Sequence, residues 1–287
     1  MKVKASAPGK LMLFGEHAVV YGYPCIVTSI DSEINVEIEE TQTLKIEAPG
    51  VKNLSFVNET LKIFCEKFKV SSNLLIKTSS DETLKYGLGS SSAVTVALIK
   101  ALCNFYKIDI SKREVFDLGY KVILNVQGVG SGFDIASSVY GGTIYYIKGG
   151  QIIESLLVKK LSLIVGYSGV KADTSKIVKS LKPDFKIFDK IGKIVEEAKI
   201  SLVNSDWKKT GELMNQNHKL LQELGVSTEK LDKMCEAAVV SGAYGAKLSG
   251  AGGGDCMIAL VPENKIKNVE SSIISVGGEI IKVKNNI

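Results

Sequence analysis

Apolar and polar positions along this chain fall into two textures. In the first forty residues, short apolar or alternating runs are interrupted by glycine, and residues 3–6, 11–14 and 34–39 each fit a β-strand. Residues 59–69 place Leu61, Phe64, Cys65 and Phe68 at helical spacing. Residues 93–106 are apolar on nearly every face, which predicts a buried helix. Ser111 and Glu114 form a capping-box signature for a helix reaching about Asn125. Residues 143–147 and 151–157 flank Lys148-Gly149-Gly150 and predict a β-hairpin.

Beyond the hairpin the texture changes. Residues 161–167 read as a buried strand, and residues 173–240 show helical periodicity. Pro183 separates two helices there, and Gly225 ends another before a cap at Ser227 or Thr228. The tail reads as strand 256–261, helix 263–275 and strand 279–283. Mixed β and α structure followed by helices around a few strands predicts an α+β protein of two domains, residues 1–158 and 159–287. A binding cleft is expected at their junction.

Composition narrows the class. The 287 residues are 45% hydrophobic and 23% charged, with a net charge of +5 at neutral pH. That excess is spread along the chain and is nearly all lysine, Arg113 being the sole arginine, so a nucleic-acid partner is not expected. A small anionic ligand fits it better. No apolar run approaches the roughly 18 residues of a membrane span, and no apolar segment follows the first four residues as a secretory signal requires. The five cysteines (Cys25, Cys65, Cys103, Cys235, Cys256) lack metal-ligand spacing and lie among apolar neighbours, so they read as core residues of a cytoplasmic protein.

Four glycine-rich segments break the periodic pattern. One is Ala7-Pro8-Gly9-Lys10 with Gly15-Glu16-His17 close behind. A second, Gly87-Leu88-Gly89-Ser90-Ser91-Ser92, runs into the buried helix. A helix N-terminus carries about half a positive charge and unsatisfied N–H groups, so such a loop can cradle phosphate, and its serines offer hydroxyls to phosphate or Mg²⁺. A tight turn with serine N-caps is the plainer reading of the same residues. No lysine follows the glycines, so this is not a P-loop. A third segment, Ser249-Gly250-Ala251-Gly252-Gly253-Gly254-Asp255, precedes a strand and fits close approach to a ligand. The fourth, Gly128-Val129-Gly130-Ser131-Gly132-Phe133, ends in Asp134. That carboxylate reads as a helix N-cap, or, beside a phosphate loop and Lys10, as a group that positions or deprotonates a hydroxyl.

These segments together resemble the GHMP kinase superfamily, through residues 7–22 (APGKLMLFGEHAVVYG), 87–93 (GLGSSSA) and 247–255 (KLSGAGGGD), in family order and over nearly the whole chain. The resemblance implies a ribosomal-S5-like N-terminal domain, a ferredoxin-like C-terminal domain and an active site between them. Within the superfamily the chain is similar to the mevalonate-pathway branch. Residues 14–22 are similar to mevalonate kinases. Lys85 through Ser91, Gly130 through Ala136, Gly252 through Cys256, and Gly166-Tyr167-Ser168-Gly169 with Thr174 downstream resemble phosphomevalonate kinases. Mevalonate kinases place a Mg²⁺-ligating glutamate eleven residues before the catalytic aspartate, where this chain has Ile123.

The resemblance therefore implies an ATP-dependent kinase of a small anionic isoprenoid precursor, with 5-phosphomevalonate as the expected acceptor and mevalonate as the alternative. A ligand-sensing paralogue without catalysis is the remote alternative. Lys10 and Asp134 are the expected catalytic pair, and Gly87, Leu88, Gly89, Ser90, Ser91 and Ser92 the expected ATP loop, with Ser91 on the Mg²⁺ side. Glu16, His17, Lys85, Ser131, Ser168, Gly252 and Gly253 are expected to hold the acceptor, and His218 to be structural. No nucleic-acid or membrane partner is expected, and the protein would be a monomer or homodimer.

Overall fold

The computed structural model describes residues 2–51 and 53–283. Strands β1 (Lys2–Phe14) and β2 (Pro24–Glu40) form a long antiparallel pair within a six-stranded sheet. Where the sequence suggests a turn between two short strands, the register slips between Pro8 and Lys10 and β1 runs through. A bulge bends a strand without ending it, which is how Pro8 and Gly9 are accommodated. β2 pairs with β4 (Leu74–Ser80) through one end and with β5 (Thr143–Ile147) through the other. The short β3 (Lys45–Glu47) joins β4 in parallel, and β6 (Ile152–Leu156) completes the hairpin with β5.

Four helices cover this sheet. α2 (Ser90–Tyr106) packs on β1 and β2 and touches α1 (Ser55–Phe68), α3 (Lys112–Gln127) and α4 (Phe133–Tyr140), which accounts for its apolar faces. The Ser111 hydroxyl accepts from the Glu114 amide, and the Glu114 carboxylate accepts from the Ser111 amide, so the capping box forms as read.

The chain passes to a second, antiparallel sheet between residues 156 and 163. β7 (Leu163–Tyr167), β8 (Gly245–Ser249), β9 (Cys256–Leu260) and β10 (Glu279–Ile281) are ordered β10-β7-β9-β8. Helices α5 (Thr174–Ser180), α6 (Phe185–Val203), α7 (Trp207–Glu223) and α8 (Glu229–Val240) lie between β7 and β8, and α9 (Ile266–Ser275) between β9 and β10. A short turn over Glu263–Lys265 precedes α9. Thr228 caps α8 by accepting from the Leu231 amide. β3, β4 and β8 were not legible in the sequence, β8 because a lysine sits at its centre. α6, which packs on α7, is tied to the first sheet: Tyr23 donates to Asp189 and Tyr145 to Glu196, each at 2.6 Å.

All five cysteines are free thiols, with Cys25, Cys235 and Cys256 buried. Among the described residues no helix is long and apolar enough to cross a membrane.

α7 crosses β8 at backbone contact. A Cβ on Gly211 would stand 2.3 Å from the Tyr244 carbonyl oxygen, so only glycine lets the helix come this close. Further along α7, His218 Nδ1 accepts from the Leu248 amide at 3.3 Å, and Nε2 faces Asp232 Oδ1 at 3.1 Å. Burial lowers the His218 pKa to about 4 despite that carboxylate.

Two predictions follow from this helix–strand contact. Gly211→Ala should destabilise the fold by about 1–3 kcal/mol, the usual cost of overpacking, as measured by denaturant unfolding. In the unfolded chain His218 takes its proton near pH 6.5, and in the folded chain only near pH 4. Acid therefore favours unfolding: the contribution is complete above pH 6.5 and lost as pH falls to about 4, on the order of 3 kcal/mol. Stability measured across that window should fall less steeply in His218→Gln than in the parent chain.

Candidate active site

Lys10 lies on β1 immediately after the bulge. Its backbone amide donates to the Leu88 carbonyl at 2.8 Å, stitching the strand to the serine loop. Gly89, at φ 90°, crosses the lysine side chain so closely that a Cβ there would meet Lys10 Cγ at 2.9 Å. The Lys10 Nζ stands 3.2 Å from Asp134 Oδ1 and lies over the Phe133 ring at 5.3 Å. Lys10 is 8% exposed, whereas the Asp134 side chain keeps 34% of its surface. The carboxylate is thus open on one side and paired on the other. Asp134 sits in the first turn of α4, and Ser138 from the same helix donates to the Pro8 carbonyl at 2.8 Å. Helix and strand are therefore fixed to one another on both sides of the pair.

These groups face one cavity of about 260 Å³. Gly87, Gly89 and the three serines Ser90, Ser91 and Ser92 form one wall. Leu88 is buried behind it, and its carbonyl holds Lys10. Gly89 stands at the cap position before α2 and Gly132 at that before α4, so neither helix has a side-chain cap. Their first N–H groups are left for a ligand's oxygens, so the serines do not act as the caps that the plainer reading supposed. Ser131 lines the cavity between the two, its own carbonyl held by the Tyr146 hydroxyl at 2.5 Å.

The third glycine segment closes the opposite side. Ser249 Oγ accepts from the Met12 amide at 3.1 Å and donates to the Met12 carbonyl at 2.9 Å. His17 Nε2 lies 2.9 Å from the Ala251 carbonyl and so must carry the hydrogen. Burial holds His17 below its ordinary pKa, leaving it neutral at pH 7 with Nδ1 as an acceptor. Its backbone, at φ 61° and ψ −48°, is in a strained region that costs on the order of 1–3 kcal/mol and tends to persist at functional sites. Asp255 brings a second carboxylate to the cavity: Oδ1 accepts from the Ala172 amide at 3.1 Å, and burial pushes its pKa up against the pull of that amide, Lys10 and Lys171.

Of the expected acceptor residues, the structure brings His17 and Ser131 to the cavity. The other five stand away from it. Lys85 is exposed, its Nζ over the Tyr86 ring at 5.1 Å. The Ser168 hydroxyl turns back on the Val170 backbone. Gly252 and Gly253 pack on Val226, whose carbonyl accepts from the Gly253 amide at 2.8 Å. Glu16 is fully buried and paired with Lys247. Sequence reasoning missed Asp255 as a site residue, although a charged side chain ending a glycine run before a buried strand is a readable signal. It also missed Gln127 and Val178, which carry no local signal.

The donors on the wall fit Mg²⁺ of one kind. Among the described residues no group of three or more His, Cys, Asp or Glu could hold a metal, and Ile123 presents an aliphatic side chain to the cavity. Serine hydroxyls and scattered carboxylates are hard oxygen donors that suit a Mg²⁺ already carrying phosphate and water ligands.

The chain matches the family models for the GHMP kinase N-terminal domain over residues 55–142 and the GHMP kinase C-terminal region over residues 198–278. A mevalonate kinase from Thermococcus sibiricus is 37% identical across 99% of this chain and 96% of that protein. The crystal structure of Methanococcus jannaschii mevalonate kinase has a TM-score of 0.84 at 29% identity, covering 100% of this chain and 98% of that one. Streptococcus pneumoniae phosphomevalonate kinase, 22% identical over 99% of each chain, shares the fold with a TM-score of 0.88. The chain belongs to the GHMP kinases, as a phosphotransferase of the mevalonate-pathway branch with the family's two-domain α+β fold.

Proposed function

We propose that this kinase transfers the γ-phosphoryl group of ATP to the 5-hydroxyl of mevalonate. The charge on the cavity wall carries this choice. Among the described lining residues Lys10 is the only cation, and His17 is neutral. A phosphorylated acceptor would bring a second phosphate whose last pKa is about 6, and so nearly two negative charges. Lys85, expected to meet that phosphate, stands outside the cavity. Relatives at 33–39% identity over most of the chain are named as mevalonate kinases, which supports the same acceptor. The sequence-based expectation of 5-phosphomevalonate has less support than mevalonate.

In this reading the triphosphate lies along the Gly87–Ser92 loop, its oxygens against the uncapped amides of α2. Mg²⁺, when bound, neutralises phosphate charge, and Ser91 is the hydroxyl that would hold it. The acceptor occupies the cavity beside His17 and Ser131, among Val19, Val20 and Met12. An alcohol needs its proton removed as the bond forms, and the open side of Asp134 is placed to receive it. The acceptor oxygen bonds to the γ-phosphorus as the bond to the β–γ bridging oxygen breaks. ADP leaves with that electron pair, and the proton passes from Asp134 to water. Lys10, 3.2 Å from Asp134, holds that carboxylate in orientation and offsets charge on the moving group.

Asp134→Asn and Lys10→Met should each lower kcat at least about a hundredfold with the fold intact by circular dichroism. Near-normal turnover in either would place the chemistry elsewhere. ADP release measured with mevalonate and with 5-phosphomevalonate tests the acceptor: faster turnover of mevalonate supports this reading, and faster turnover of 5-phosphomevalonate overturns it.

A further inference from the structure

Glu16 and Lys247 are 231 residues apart in sequence, and both side chains are wholly buried. Glu16 follows β1, and Lys247 is at the centre of β8 in the second sheet. Lys247 Nζ donates to Glu16 Oε1 and, at 2.6 Å, to the Leu248 carbonyl. Glu16 Oε2 is buried with no hydrogen-bond partner. Burial pushes the Glu16 carboxyl up and the Lys247 ammonium down, while each charge pulls the other back. Such a pair is a poor source of stability, because desolvating two charges offsets most of their attraction and apolar replacements are often as stable.

Position is what the pair supplies. Glu16 is bonded to His17, whose ring holds the Ala251 carbonyl across the seam between the sheets. Lys247 is two residues from Ser249, which grips Met12 on both its amide and its carbonyl. Gly250 and Ala251, next along, form the cavity wall that His17 faces. Neither Glu16 nor Lys247 reaches the cavity.

We propose that Glu16 and Lys247 are positioning residues for acceptor binding: the pair fixes the strained His17 turn against the Gly250-Ala251 wall and thereby shapes the acceptor end of the site. Glu16, expected from sequence to touch the acceptor, acts through this pair instead. The proposal rests on the cavity being the kinase site, and on His17 bordering its acceptor end, but not on which acceptor is used.

The test is steady-state kinetics and thermal melting of the full chain, with whichever of mevalonate or 5-phosphomevalonate the parent protein turns over faster. The variants are Glu16→Leu, Lys247→Met, the two combined, and Glu16→Gln. Each single apolar variant leaves an unpaired buried charge and should melt lower than the parent, whereas the combined variant should melt near it. All three should raise the acceptor KM at least about tenfold, with the KM for ATP within about twofold, because a small displacement of a wall is felt by the ligand it borders. Glu16→Gln keeps an acceptor for the Lys247 ammonium and should recover most of the acceptor affinity. A combined variant with the parent's acceptor KM would overturn the proposal, as would a rise in the ATP KM alone. A normal acceptor KM in Lys247→Met beside a raised one in Glu16→Leu would also overturn it, since Glu16 would then meet the acceptor itself.

Discussion

The last half of β1 and the turn after it form the line on which much of the site is assembled. Lys10 binds the serine loop through its backbone and Asp134 through its side chain. Met12, Glu16 and His17 then bind Ser249, Lys247 and Ala251 in turn. Residues 10–17 thus make contact with three segments that are far apart in sequence. Because β1 is held in the first sheet by β2, these contacts also fix the second sheet against the first. A strand suits this task, since its alternating side chains address both faces while its backbone stays in register.

What was legible in the sequence follows from how local each signal is. α2 has apolar positions all round because it is enclosed on all sides, and the α3 capping box needs only residues 111 and 114. β8 was not legible: Gly-Ala-Lys-Leu-Ser has a glycine start and a central charge, and neither indicates a strand until Glu16 is seen opposite the lysine. β1 reads as two strands in the sequence because Pro8-Gly9 usually signals a turn, and only pairing with β2 turns it into a bulge. The same division holds at the site. Lys10, Ser91 and Asp134 belong to distinctive glycine-rich segments and share one cavity. Lys85, Ser168, Gly252 and Gly253 lie in equally distinctive loops but face away, and spacing along a chain does not encode which way a loop turns.

Overall shape does not separate the two candidate acceptors. A phosphomevalonate kinase at 22% identity superposes with a TM-score of 0.88, and a mevalonate kinase at 29% with 0.84, so the scaffold is common to both. Any difference must reside in a few side chains at the cavity, as is usual where one fold carries several substrates.

Charge is the property on which those side chains can discriminate. Two unit charges about 6 Å apart at an effective dielectric of ~20 interact by about 3 kcal/mol, roughly a hundredfold in affinity. In the proposed reaction ATP brings several negative charges to a wall with one lysine among its described residues, which is why the uncapped amides of α2 and α4 matter: they favour anions without adding a formal charge. A neutral hydroxyl as the reacting group adds nothing to that load, whereas an acceptor phosphate would add nearly two charges, with Lys10 the only cation among the described lining residues. Asp255 adds a further carboxylate to the same cavity, and burial works against its ionised form. In the proposed reaction an alcohol as the phosphoryl acceptor suits a cavity this sparing of positive charge, and the open side of Asp134 would then have a proton to receive.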